Sequence, residues 1–365
     1  MTASTSWHLE ARWQELPLIR TLHTARGALD RREGWLVRWS RPGEPDGVGE
    51  VAPLPDFGTE DHVRAGAALA SLTDRTHDPE RLLETLPDSL RAVRFGLHSA
   101  WTEVLARRAA RPVWCELGGT SLGPEEPPPG VLSQGLLGGL DGHEVAFQRL
   151  LEGHATLKIK VGLLEAEAEV DRLQALVRAL RDAGCGPELR LDANGAWSPG
   201  KARQILTRIA PLGFTWIEEP IELGAPVDLA EVASWGVPVA LDERLVDASV
   251  ANRALMDPAV SALVLKPTVL GGLDRARAIA VDALARGKAI VVGSSFESPV
   301  GLGHLVHLAA SLDRPDLVHG LGTLSWFRDE ARSPGLAGSL LVPPDAAATV
   351  AWAEQETETL SGGGA

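Results

Sequence analysis

The sequence predicts an α/β protein: a (β/α)8-type barrel of seven or eight strands, with an N-terminal α+β capping domain that the C-terminal segment completes. Three observations carry this expectation. Beyond about residue 130, short apolar runs alternate with longer amphipathic ones, the signature of βα units on a parallel sheet. Nearly every apolar run ends in a charged or polar residue. The 365 residues exceed the roughly 250 that a barrel needs, which leaves room for one smaller domain.

In chain order, residues 1 to about 60 read as strands and turns. RREGWLVRW alternates around an expected turn at Glu33-Gly34, and GVGEVAPLPDFG ends in Pro and Gly breakers. Helical spacing follows over residues 60–75 and 88–110, with Val93, Leu97, Trp101, Val104 and Leu105 on one stripe. The Pro-rich SLGPEEPPPG, residues 121–130, marks a linker. The expected domains are therefore 1–125 for the cap, 126–325 for the barrel and 326–365 for a segment that packs back on the cap and ends in the flexible SGGGA. The barrel strands are VLSQGLL, TLKIKVG, ELRLDAN, FTWIEEP, VPVALDE, SALVLKP, KAIVVGS and LVHGLGT. The first and last are the weakest, so a distorted seven-stranded circuit stays open beside the closed eight-stranded one.

Composition bounds the function. A formal charge of -14, from 49 acidic against 35 basic residues, repels nucleic acid and anionic lipid. No stretch reaches the ~20 apolar residues of a membrane span, and the N-terminus lacks a signal-peptide pattern. Cys115 and Cys185 lie far apart, outside any CxxC spacing, as expected of a reducing compartment. The expected setting is cytoplasmic, the partner a small-molecule carboxylate, and monomer or homo-oligomer both remain open.

The chemistry lies at the strand ends. Lys160, Asp192, Glu218, Asp242, Lys266 and Ser294 close six successive strands at spacings of 32, 26, 24, 24 and 28 residues, each about one βα unit. A barrel brings such residues to its C-terminal face, where catalytic groups sit. Any one of them alone is an ordinary loop start or helix cap; six in succession are not. Three carboxylates on adjacent strands stay ionised together only around a cation. An all-oxygen set suits Mg²⁺ or Mn²⁺ better than Zn²⁺. Lys158 and Lys160, two apart, share one face of their strand, while Lys266 comes from across the barrel. A lysine beside a divalent cation and another ammonium has a lowered pKa and can serve as a base; the plain alternative is that these lysines only neutralise the carboxylates. A metal among such groups stabilises the charge that develops when a proton leaves the carbon next to a carboxylate.

The strings KIK, RLDANGAW, IEEP, LDER, LKPTVLGGL and GSSFESPVGL together resemble the enolase superfamily, and within it the o-succinylbenzoate synthases. GEVAPLPDFGTE and ARRAARPVWCELGG resemble that family's capping domain, so the likeness spans almost the whole chain. It implies Mg²⁺, with Mn²⁺ as a substitute, on Asp192, Glu218 and Asp242. It implies Lys160 as the base that also protonates the departing hydroxyl, and Lys266 as the group that stabilises an enediolate. Lys158 is then expected to tune Lys160, and Asn194, Glu219 and Glu243 to orient the metal ligands. Ser294 and Ser295 correspond to positions that hold the succinyl carboxylate, with Arg190 assisting by charge. Ser298 reads equally well as a helix cap. Residues 18–30 match a loop that closes over substrate. The implied reaction is the syn-dehydration of 2-succinyl-6-hydroxy-2,4-cyclohexadiene-1-carboxylate to 2-succinylbenzoate, a step toward menaquinone. One departure is Arg244 of LDER, where a small residue is more usual; it is expected either to contact a substrate carboxylate or to face solvent.

An N-acylamino acid racemase, dipeptide epimerase or muconate-type cycloisomerase would use the same lysines and acids. Dehydration is preferred on GSSFESPVGL, on GEVAPLPDFG and on the lack of an acidic DxD near residues 317–323. A Schiff-base aldolase on a barrel lysine and a catalytically silent binding protein are the readings from other classes. His304 and His307, three apart in an apolar run, lack a third ligand and read as core histidines. Gly271-Gly272 reads as a tight loop.

Overall fold

The structure, a computed structural model, describes residues 6–24, 27–120, 128–140, 142–226, 228–328 and 335–344. The N-terminal unit is an antiparallel sheet of β1 (Trp7–Thr24), β2 (Gly27–Ser40), β3 (Gly47–Val51) and β4 (Thr76–His77), in the order β3-β2-β1-β4. Glu33-Gly34 is no turn: β2 runs straight through it, with Gly34 paired to Gln14. The glycine is needed for close approach, since a Cβ there would lie 2.3 Å from the Val51 carbonyl oxygen. The register between β1 and β2 shifts between Pro17 and Leu22, consistent with Pro17 having no N–H to give the ladder.

Helix Arg91–Arg108 lies on this sheet and is buried on nearly all sides, because the barrel covers its other face. The contact is backbone on backbone. A Cβ on Gly49 would come within 2.1 Å of the Gly96 carbonyl oxygen, which explains the glycines of GVGEV. Trp7, Leu9, Val37, Trp39, Leu69, Val93, Leu97 and Trp101 fill the space between. Burying each such side chain contributes about 1.5–3 kcal/mol, and the Trp39 indole N–H finds the Leu97 carbonyl at 3.1 Å.

The barrel strands are β5 (Val131–Ser133), β6 (Gly135–Leu137), β7 (Thr156–Lys160), β8 (Glu188–Asp192), β9 (Trp216–Glu218), β10 (Val239–Leu241), β11 (Val260–Leu265), β12 (Ala289–Val292) and β13 (Val318–His319). β6 to β12 form one parallel sheet in sequential order. The first expected strand is split at Gln134 into β5 and β6, and the last is the two-residue β13, so the irregularity falls on the two weakest runs. β13 pairs with β5. It reaches β12 through the Gly320 N–H on the Val292 carbonyl (2.9 Å) and the Ser294 N–H on the Gly320 carbonyl (2.9 Å), which completes the circuit.

Amphipathic helices cover the outside. In helix Ala166–Asp182, Val170, Leu173, Leu176, Val177 and Leu180 are buried at helical spacing while the remaining positions are largely exposed. Arg94 ties cap to barrel, donating to the Gly271 carbonyl (2.6 Å) and through both terminal nitrogens to Asp274. Gly271 and Gly272 form the expected tight loop, at φ 83° and 154°. His304 and His307 are core histidines, on the Val300 and Pro344 carbonyls. Phe327 bridges to Leu18 of β1, whereas β14 (Leu340–Leu341) pairs with β5 of the barrel. Residues 121–127 of the linker, 25–26 of the closing-loop stretch, and 329–334 and 345–365 of the C-terminal segment lie outside the described residues. Among the described residues no helix is long and apolar enough to cross a membrane.

Candidate active site

The parallel register aligns the strand ends. Lys160 pairs with Asp192, Asp192 with Glu218, and Glu218 with Ala240, so Asp242 sits one pleat further along β10's exit. Lys266 leaves β11, four strands from β7 and hence across the circuit. Leu157 and Ile159 are fully buried among the packing side chains of the core, which by alternation turns Lys158 and Lys160 to the other face of β7.

Lys158 Nζ lies 2.9 Å from Asp192 Oδ2 and 2.5 Å from Glu218 Oε2. The other Glu218 oxygen accepts the Trp216 indole N–H at 3.3 Å. Lys266 Nζ is 2.7 Å from Asp242 Oδ2 and 4.8 Å from the centre of the Phe57 ring, a cap residue. Lys160 Nζ forms no hydrogen bond or ion pair among the described residues. Burial pulls Lys160 below the usual lysine range, and the Lys158 and Lys266 ammoniums act in the same direction against Asp192 and Glu243. Lys158 and Lys266 are not lowered. Burial disfavours their charge, but the carboxylates beside them outweigh it and raise both.

The three carboxylates were expected to converge, and here the structure differs. Among the described residues no three Asp, Glu, His or Cys side chains are gathered to clasp an ion. The reason is visible: Lys158 lies between Asp192 and Glu218, and Lys266 draws Asp242 toward itself. The lysine ammoniums supply the positive charge that the carboxylates need. The residues still fit a hard divalent cation. All donors are oxygens, and burial pushes Asp242 up to about 8 and raises Glu218, so that both want more positive charge than they have. Two acceptors beside them, Asn194 Oδ1 and Glu243 Oε2, are buried without partners. Their neighbours Asn194 Nδ2 and Glu243 Oε1 bond each other at 2.9 Å.

Other expected residues lie elsewhere. Arg190 is two residues below Asp192, stacked on Trp216 at 4.2 Å, and donates to Glu188, Gln134 and the Val318 carbonyl. It faces a cavity at the N-terminal end of the barrel rather than the strand-end carboxylates, because Glu188 and Val318 sit at the starts of their strands. Ser294 is at the expected end, but its hydroxyl is spent on Glu297 (2.6 Å), Thr323 (2.8 Å) and the Phe296 N–H (3.0 Å). The Ser295 hydroxyl is buried and unpartnered. Ser298 caps helix Pro299–Ala310. Arg244 is partly exposed, but its guanidinium is turned inward: its Nε bonds Glu219 at 2.9 Å.

Several groups escaped the sequence reading. Phe57 reaches Lys266 from the cap, and Glu50 and Arg32, also from the cap, hold the loop after β12. Glu50 accepts the Ser298 N–H at 2.9 Å and Gln14 Nε2 at 3.0 Å; Arg32 donates to the Phe296 carbonyl at 3.1 Å. Phe296 is left-handed at φ 60°, a conformation that needs such support. A buried charge in the GEVAP strand was the available signal for Glu50; nothing local marked Arg32.

Comparison with known proteins agrees with this architecture. The family model described as "Enolase C-terminal domain-like" matches residues 143–335, and "MenC, N-terminal domain" matches residues 12–104. The o-succinylbenzoate synthase of Klebsiella pneumoniae is 31% identical over 86% of this chain and 89% of its own length. That of Yersinia enterocolitica is 33% identical over 81% and 84%. Among solved structures, MenC from Desulfotalea psychrophila superposes with a TM-score of 0.75 at 23% identity, covering 92% of this chain and 99% of its own. A dipeptide epimerase from Enterococcus faecalis, complexed with Mg and a dipeptide, gives 0.79 at 22% identity, covering 94% and 98%. The two structures speak for the fold; the sequence matches show that the chain is an enzyme of the enolase superfamily and belongs to its o-succinylbenzoate synthase family.

Proposed function

We propose that the protein dehydrates 2-succinyl-6-hydroxy-2,4-cyclohexadiene-1-carboxylate to 2-succinylbenzoate and water, as a cytoplasmic, Mg²⁺-dependent step toward menaquinone. The observation that carries the reading is Lys160: a lysine of lowered basicity, without a partner, beside a row of buried carboxylates and opposite a second lysine. Asp192, Glu218 and Asp242 would hold a Mg²⁺ ion, which would supply positive charge to the ring carboxylate as the adjacent C–H ionises.

The chain's own groups do the rest. Neutral Lys160 takes the proton from the ring carbon next to the carboxylate. Lys266, kept charged by Asp242 and Glu243, offers its ammonium from the other side to the negative charge that develops. Lys160 then returns its proton to the hydroxyl on the same face as the C–O bond breaks. Water leaves, the ring becomes aromatic and the lysine is neutral again, which makes the elimination syn. Lys158 holds Asp192 and Glu218 in place, while Asn194, Glu219 and Glu243 brace the ligands from behind. We take residues 1–125 as the cap and 126–325 as the barrel.

The test is to supply the cyclohexadiene with Mg²⁺ and follow its absorbance, with Lys160→Ala as control. Absence of turnover by the wild-type protein refutes the assignment. The lysines across the barrel also suit exchange of an α-proton from both faces, as in an N-acylamino acid racemase or dipeptide epimerase. Deuterium uptake at Cα of such a substrate in heavy water, without dehydration of the cyclohexadiene, would support that reading instead.

A further inference from the structure

Arg244 takes no part in the chemistry proposed above, yet its side chain donates three hydrogen bonds behind the candidate ligands. Its Nε donates to Glu219 Oε2 at 2.9 Å, and one terminal nitrogen donates to the carbonyls of Ile221 (2.8 Å) and Glu222 (2.9 Å). Its backbone N–H donates to Glu219 Oε1 at 3.0 Å, the same oxygen that accepts the Asp242 N–H at 2.9 Å. Glu219 follows Glu218 directly, is fully buried, and has a left-handed backbone at φ 38°, an uncommon state for a residue with a side chain.

The segment that Arg244 grips is bonded in turn to the exit of β8. The Glu219 carbonyl accepts the Gly195 N–H at 2.7 Å, and the Glu222 N–H donates to the Trp197 carbonyl at 2.9 Å. The exits of β8, β9 and β10 thus form one hydrogen-bonded collar with a single guanidinium spanning its joints. Those three exits carry Asp192, Glu218 and Asp242.

We infer that Arg244 is a positioning residue: acting through Glu219, it presets the backbone of the strand exits that carry Asp192, Glu218 and Asp242, so that a divalent cation has only the side chains left to order. The planar fork serves three acceptors from two nitrogens held apart. A lysine could neutralise Glu219 but would not also reach both carbonyls. Removing the guanidinium leaves the Glu219 carboxylate with two backbone donors and no counter-charge, at a residue whose backbone conformation depends on those bonds. The strand exits would then also have to be ordered at the moment of binding, which lowers affinity.

The experiment uses the full chain and Mn²⁺ alone as probe, followed by calorimetry and by the Mn²⁺ spin-resonance signal. Arg244→Ala is expected to weaken Mn²⁺ by about tenfold or more, as loss of groups supporting metal ligands does, with Arg244→Lys in between. Arg94→Met removes a comparable clamp from the cap–barrel interface; it should lower the melting temperature and leave Mn²⁺ affinity unchanged. Unchanged affinity in Arg244→Ala, or an equal loss in Arg94→Met, overturns the inference. If Arg244→Ala does not fold, Arg244→Lys decides: weaker binding supports the inference and wild-type affinity overturns it. The inference rests on the reading of the three carboxylates as cation ligands. A wild-type protein that binds no Mn²⁺ refutes that reading; a wild-type protein that binds, with variants that bind equally, refutes only the role of Arg244.

Discussion

Glu50→Gln should change how stability depends on pH. Glu50 is 1% exposed, on a cap strand, with its carboxylate on the Ser298 N–H and on Gln14 Nε2. Burial pushes it from 4.5 to about 7, and the facing Glu297 adds to the effect, against the Ser298 bonds and the Arg32 charge. Arg32 helps only at a distance, because its fork is spent on the carbonyls of Ala52, Pro53 and Phe296. The sign follows from linkage. Above pH 4.5 the unfolded chain loses this proton while the folded chain keeps it up to about 7, so the unfolded state is progressively favoured across that interval. The loss is then constant at higher pH, and its full size is ~3 kcal/mol. Glutamine cannot ionise. It keeps one acceptor for Ser298 and forfeits at most one neutral hydrogen bond of about 0.5–1.5 kcal/mol, an amount that does not vary with pH below the interval. Urea unfolding of both proteins, followed by tryptophan fluorescence from about pH 4.5 to about 8, measures the difference. Wild type should lose stability relative to the variant by ~3 kcal/mol as pH rises. Parallel curves, or a slope of the opposite sign, would refute the reasoning.

Three further outcomes are expected. Lys158→Met strands Asp192 and Glu218 without their shared counter-charge, and should cost about 3–5 kcal/mol in metal-free buffer, with Mg²⁺ restoring part of it. A loss under about 1 kcal/mol in urea unfolding, the range of exposed pairs, would show that the pair is solvated. Lys160→Ala should fold normally, since its ammonium has no partner among the described residues, and lose about 10²–10⁴-fold in turnover. A change of less than about tenfold would remove Lys160 from the proton path. Asp242→Asn should weaken Mg²⁺ binding in calorimetry; equal affinity would exclude that carboxylate as a ligand.

Much of the molecule was legible in the linear chain because periodic burial writes itself into sequence. The βα alternation, the split between cap and barrel and the rank of strand-end residues all follow from local pattern, and the structure places Lys160, Asp192, Glu218, Asp242 and Lys266 at the same barrel end. What pattern could not supply is where each charge points. Lys158 and Lys160 look equivalent in sequence, yet one is locked between two carboxylates and the other is unpaired, because only the curvature and register of the sheet determine which ammonium reaches β9. Arg190 has the same strand and face as Asp192 but a different depth, and depth decides that it stacks on Trp216 below the site. Gly34 reads as a turn until the third strand crosses over it. Phe57, Glu50, Arg32 and Arg244 act across elements far apart in the chain. Such contacts arise from packing two domains and closing a barrel, and a local sequence pattern carries no trace of which distant groups that closure brings together.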